Sequence, residues 1–182
     1  VAFTCLILVS VGSGELSALY HSKNALQDVY EDHLLAINQL NEIRNQQMLI
    51  RMELIGARLE SDAFEVMAHT DKVTSHIFKT DNLIKDYADK QMQAEEKQLY
   101  EAFIAARMNF GKTGVLPMID ILQAQRYEEA DKLRQEVLIP AYGKASETID
   151  ALIEYQVTRA RETYGRVSQL SKTVLIATVA AI

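Results

Sequence analysis

From Glu15 to Leu59 the chain runs without a proline, and its apolar residues recur at steps of three and four. The series passes through Leu16, Leu19, Tyr20, Leu26, Tyr30, Ala36, Leu40 and Ile43 and continues through Ile50, Leu54 and Ala57. A strand would need alternation, so this spacing predicts an amphipathic helix. At 1.5 Å per residue, some 45 residues make a rod of roughly 70 Å. A rod of that length cannot bury its stripe against itself and must pack against other helices. Two prolines and seven glycines in 182 residues extend the expectation of long helices to the whole chain.

Three further helical runs follow. Ser61 and Asp62 offer capping oxygens, with Glu65 three residues after Asp62, and open a second helix over 64–92. Its inward face carries Val66, Val73, Ile77, Ile84 and Tyr87. Thr70, Thr74 and Thr80 near that face either meet a ligand or bond back to the helix carbonyls. A third helix covers 96–125, with Leu99, Phe103, Ala106, Phe110, Met118 and Leu122 on its seam and an expected kink at Pro117. A fourth covers 127–172, with Pro140 and Gly143 in its first third. The expected fold is an all-α, antiparallel up-down-up-down four-helix bundle whose first and fourth helices are long.

The ends qualify that picture. Residues 1–14 and 173–182 carry no charged side chain. Neither run reaches the roughly 20 residues that cross a bilayer. They are read as the end of a first transmembrane helix and the start of a second, flanking a sensor domain over 15–172. An even number of helices between them puts both at one end of the bundle.

Several chemistries are disfavoured. A net charge of −6 argues against a nucleic-acid surface. The lone Cys5 allows neither an internal disulfide nor a multi-cysteine metal site. Glu65, His69 and His76 have helical spacing but lack the second Glu-x-x-His and the added glutamates of a di-iron bundle. The Gly-Lys-Thr at 111–113 has neither the spacing nor the preceding strand of a phosphate-binding loop. No nucleophile, base and orienting group cluster, so no enzyme and no cofactor are expected. Gln47 falls on the inward seam of the first helix, where a polar residue commonly fixes register.

The candidate binding chemistry is cationic. Arg44, Arg51 and Arg58 lie seven residues apart and leave one edge of the first helix. Guanidinium forks suit carboxylates through paired hydrogen bonds. The competing reading pairs these arginines with Glu42, Glu53 or their copies in a partner chain. Arg134 shares a face with Ala130, Leu138 and Ala141, and a cation near a seam needs an anion or a route to water.

The segment YEDHLLAINQLNEIRNQQ and the stretch EAFIAARMNFGKTGVLPMIDILQAQRYEEADKLRQEVLIPAYGKASETIDALIEYQ resemble the four-helix-bundle ligand-binding domain of methyl-accepting chemotaxis proteins. The resemblance covers most of residues 15–165. It implies a homodimeric receptor of the bacterial inner membrane, with this domain in the periplasm and a HAMP segment and signalling domain beyond Ile182. It places ligand near the membrane-distal end, between the first helices of two subunits and the start of the fourth. The matching positions are Arg51 and Arg58 on the first helix and Tyr127 and Arg134 on the fourth, with Arg44 further from that end. The seven-residue steps and the lack of a Gln/Thr pair at the start of the fourth helix depart from the aspartate- and serine-binding pattern. A small organic acid is therefore the expected ligand. The alternatives are a dimer that docks a binding protein or reports membrane state, and the sensor of a histidine kinase.

Overall fold

The computed structural model describes Tyr20 and residues 33–181, with side chains to Gln169. The uncharged run 1–14 and nearly all of the first helix before residue 33 lie outside them, as do the side chains of 173–182. No helix among the described residues is long and apolar enough to cross a membrane.

All described elements are helical: α1 Leu35–Leu59, α2 Ala63–Ala88, α3 Ala94–Asn109, α4 Leu116–Gln123, α5 Tyr127–Leu133 and α6 Ile139–Ala181. Two π-helical segments, Phe110–Val115 and Arg134–Leu138, join α3 to α4 and α5 to α6. The chain thus forms four rods: α1, α2, α3–α4 and α5–α6. They make an all-α four-helix bundle without strands among the described residues.

Two compact units divide the chain, Asn38–Tyr155 and a second made of Val1–Ile37 with Gln156–Ile182. In the second, His33 Nδ1 meets Gln156 Oε1 at 2.8 Å. The first holds the bundle core, and side-chain pairs fix its topology. Gln39, Gln46 and Glu53 of α1 meet Leu83, His76 and His69 of α2, so numbers rise on one rod as they fall on the other. Asp81 pairs with Arg107 and Thr70 with Gln123, which makes α2 antiparallel to α3–α4. Arg44 meets Asp150 and Arg58 meets Asp131, which does the same for α1 and the fourth rod.

The core follows the three-four spacing. Leu40, Ile43, Ile50, Leu54 and Ala57 of α1 are all at most 4% exposed. They face Val66 and Val73 of α2, Phe103, Phe110, Met118 and Leu122 of the third rod, and Leu138, Ala145, Ile149 and Leu152 of the fourth.

The turns obey local chemistry. Asp62 Oδ1 accepts from Phe64 N at 2.8 Å and caps α2. Helix α2 stops at Ala88 rather than 92, where the Asp89 and Lys90 amides turn back to the carbonyls of Lys85 and Tyr87. At the end of α4, Gln125 N donates to Leu122 O and Arg126 N to Ile121 O, with Gln125 at φ 55°. That pair of bonds closes a helix through a left-handed residue and starts the next at Tyr127.

The kink expected at Pro117 takes another form. A π segment ends two residues before each proline, Val115 before Pro117 and Leu138 before Pro140. Proline offers no N–H, so the carbonyl one turn back would lose its partner. Widening the preceding turn redistributes the bonds: Leu116 N reaches Gly111 O, and Ile139 N reaches Arg134 O, both five residues back. The two wide segments pack together, and a Cβ on Gly114 would come within 2.9 Å of Leu138 Cδ1.

Buried polar side chains are mostly satisfied. Thr70, Thr74 and Thr80 return their hydroxyls to Met67, Thr70 and His76 carbonyls. Gln46 donates to Glu42 Oε1 and accepts from His76 Nδ1. Gln47, 2% exposed, differs: neither its amide nitrogen nor its oxygen has a protein partner. A buried group left so costs roughly 1–3 kcal/mol.

Candidate functional site

The turn between α1 and α2 and the turn after α4 lie side by side, because Tyr127 Oη donates to Glu60 O at 3.1 Å. This tie seats the first turn of α5 against the last turn of α1. Tyr127, Asp131 and Arg134 follow at steps of four and three, so they share one face of the fourth rod. That face meets Arg58. Its Nε donates to Asp131 Oδ1 at 3.1 Å and its Nη2 to Asp131 Oδ2 at 2.7 Å, a two-pronged pair. The Arg58 guanidinium also lies 5.0 Å from the centre of the Tyr127 ring.

Beside this pair opens a cleft of about 310 Å³ lined by Ile55, Arg58, Leu59, Asp131 and Arg134. Arg134 is half-buried and forms no ion pair among the described residues. Two cations and one anion line the cleft, leaving a net positive wall. The charges perturb one another. The Arg58 hydrogen bonds, and then the charges of Arg58 and Arg134, hold the Asp131 carboxyl below its ordinary 3.8 against a smaller opposing effect of desolvation. The same bridge raises Arg58 further above its usual range. A lowered carboxyl stabilises the fold at every pH above its ordinary value, and that contribution is lost as pH falls through the folded value. Following the Asp131 carboxyl carbon by NMR is expected to show a midpoint below 3.8, and Arg58→Ala should return it toward that value.

Of the four arginine and tyrosine candidates, the structure brings together Arg58, Tyr127 and Arg134. Arg51 is elsewhere, exposed, with its guanidinium 4.9 Å from the centre of the Tyr142 ring. Arg44 bonds Asp150 Oδ1 at 3.0 Å and Asn41. The acidic partners of Arg44 and Arg58 therefore come from the fourth rod of the same chain, whereas Glu53 meets His69 at 2.6 Å and Lys72 at 3.8 Å. Among the described residues no three His, Cys, Asp or Glu side chains gather as metal ligands would.

The sequence reading missed Asp131 and Tyr142. The first was legible in the spacing Tyr127, Asp131, Arg134. Tyr142 gave no such signal, since its role depends on the register between the first and fourth rods.

A family model described as a four helix bundle sensory module for signal transduction matches residues 1–170. The chain belongs to this family of chemotaxis-receptor sensory modules. No curated protein and no solved structure matches it significantly. The sensory module's paired turns, which carry the arginine cleft, thus lie at one end of a bundle built for signal transduction. Four of its exposed apolar residues also form a stripe. Met48, Met52, Ile55 and Leu59 stand on α1 at steps of four, three and four, each at least 37% exposed. Ile55 and Leu59 belong both to this stripe and to the cleft.

Proposed function

We propose that this module is the extracytoplasmic sensor of a membrane chemoreceptor and that it takes a small organic anion, a carboxylate, in the Arg58–Arg134 cleft. The observation that carries the reading is Arg134, a half-buried cation without an ion pair among the described residues, facing the same opening as a second arginine. A carboxylate there would gain charge-assisted hydrogen bonds that no protein group now supplies. The stripe through Met48, Met52, Ile55 and Leu59 supports a homodimer along α1, since a heptad of exposed apolar residues suits a second copy of itself. A partner on that stripe would border the cleft and lend it a further wall.

Arg134 also opens the π segment Arg134–Leu138. A ligand drawn to it bears on the part of the fourth rod whose hydrogen bonds depart from the α pattern. Ligand preference for one arrangement of that rod against α1 would shift the population of signalling states and carry the displacement toward the membrane. Titration calorimetry of the chain with succinate, malonate and acetate tests the reading. Saturable heat for the dicarboxylates, with sedimentation shifting toward dimer, is the expected result. No heat from any of the three, with the chain folded by circular dichroism, would overturn the carboxylate assignment.

A further inference from the structure

A second cleft lies about 16 Å along α1 from Arg58, at the 1.5 Å rise of a helix over eleven residues. It has a volume of about 190 Å³ and opens between α1, α2 and the π segment Phe110–Val115. Its walls are apolar, through Ile50, Ile77, Met108, Phe110, Val115 and Leu116. Gln47 lines it too, as do Lys112 and the ion-paired Asp81 and Arg107. All of these residues belong to the unit Asn38–Tyr155.

Gln47 is the informative member. A polar seam residue that fixes register does so by pairing with a polar group on a neighbouring rod. Gln46, one position earlier, is bonded on both sides of its amide. Thr70, Thr80 and Gln156 are likewise partnered. The Gln47 amide is buried and satisfied by none of the side chains around it, and it sits behind the wall of an opening large enough for a ligand, which a turn of its side chain would let it reach. Buried polar groups in folded proteins are almost always hydrogen-bonded, so the missing partner calls for an explanation. One wall of the opening is also a π segment, a feature frequent at functional sites.

We infer that this cleft is a second ligand site, separate from the arginine cleft, for a compact, mostly apolar molecule ending in a carboxamide or a similar head. An amide offers an N–H donor beside a carbonyl acceptor, and its complement is a group with the same pair reversed. A carboxamide supplies both. The apolar body then lies against Ile50, Ile77 and Phe110. The volume exceeds the 150 Å³ or so of an engineered apolar cavity known to hold benzene, which sets the size class at one ring or a short branched chain. The Asp81–Arg107 pair already neutralises itself and Lys112 is exposed to solvent, so nothing at the apolar wall demands a charged ligand.

Benzamide is the probe, toluene its headless control, and the full chain the target. On adding benzamide, the Gln47 side-chain amide resonances should shift saturably and the unfolding midpoint should rise. Gln47→Leu should weaken benzamide binding by at least tenfold and leave the midpoint equal or higher, because it removes a polar group that lacks a partner. Ile77→Phe, which fills the opening while keeping Gln47, should abolish binding as well and guards against a folding defect in the first variant. The inference is overturned if the Gln47 resonances do not move up to the solubility limit of benzamide. Equal binding by wild type and Gln47→Leu, or toluene binding as tightly as benzamide, would also overturn it, since the amide would then be held by solvent alone.

Discussion

Phe110→Ala is expected to destabilise the Asn38–Tyr155 unit by about 3–5 kcal/mol, the range for truncating a buried phenylalanine. Phe110 is 2% exposed and belongs to a core cluster, with Ile50, Leu54, Val115 and Leu138, that draws on three rods. It also meets Tyr142 edge-on, with ring centres 5.7 Å apart at 64°. Such a pair adds roughly 0.5–1.5 kcal/mol beyond the area it buries. The loss reaches the surface, because Tyr142 is the platform on which Arg51 rests. Urea unfolding of the full chain followed by circular dichroism measures the change, with the slope unaltered if the transition stays two-state. A loss under about 1 kcal/mol would mean that the surroundings collapse to fill the space, and the tight packing of the two π segments would have to be given up.

The fold was legible because one signal dominated. The stripe through Leu40, Ile43, Ile50, Leu54 and Ala57 leaves only a helix with a buried face, and each of these residues is in the core. The Asp62 cap was legible for the same local reason, since its oxygen has only its own helix to serve. The response to Pro117 and Pro140 was less so. A missing N–H can be absorbed by a kink or by a wider turn, and the neighbours decide which. Here Gly114 gives Leu138 room, and a wide turn precedes each proline where a kink at Pro117 was expected. The site was half legible. Arg58, Tyr127 and Arg134 meet as expected of the start of the fourth rod, but Arg58 is already engaged by Asp131. Which acid an arginine finds depends on the register of two rods 73 positions apart in sequence. Gln47 shows the same limit from the other side: its place on the seam was plain from spacing, whereas its lack of a partner follows only from what the facing rods present.

Arg58→Ala and Arg134→Ala are each expected to lower succinate affinity by about 10- to 100-fold. A hydrogen bond to a charged group contributes about 1.5–3 kcal/mol, and each 1.4 kcal/mol is a factor of ten. Arg51→Ala should change affinity by less than about threefold, because its guanidinium lies over Tyr142 and outside the cleft, and a factor of three is well under 1 kcal/mol. Asp131 separates a binding role from a structural one. In the free module both prongs of Arg58 are held by the Asp131 carboxylate, which also repels an incoming anion. Asp131→Asn keeps the shape and removes the charge, so it should tighten succinate binding even as it weakens the contact between α1 and α5. An arginine that only holds two rods together would give the reverse pattern, with Asp131→Asn neutral or harmful to binding and Arg58→Ala acting through stability alone. Calorimetric titration of the four variants, each paired with its unfolding midpoint, distinguishes the two. Loss of binding in Arg134→Ala at unchanged midpoint and in Arg58→Ala beyond what its lost bridge takes from the midpoint, with a gain in Asp131→Asn, fits an internal carboxylate that stands in for the ligand until the ligand displaces it.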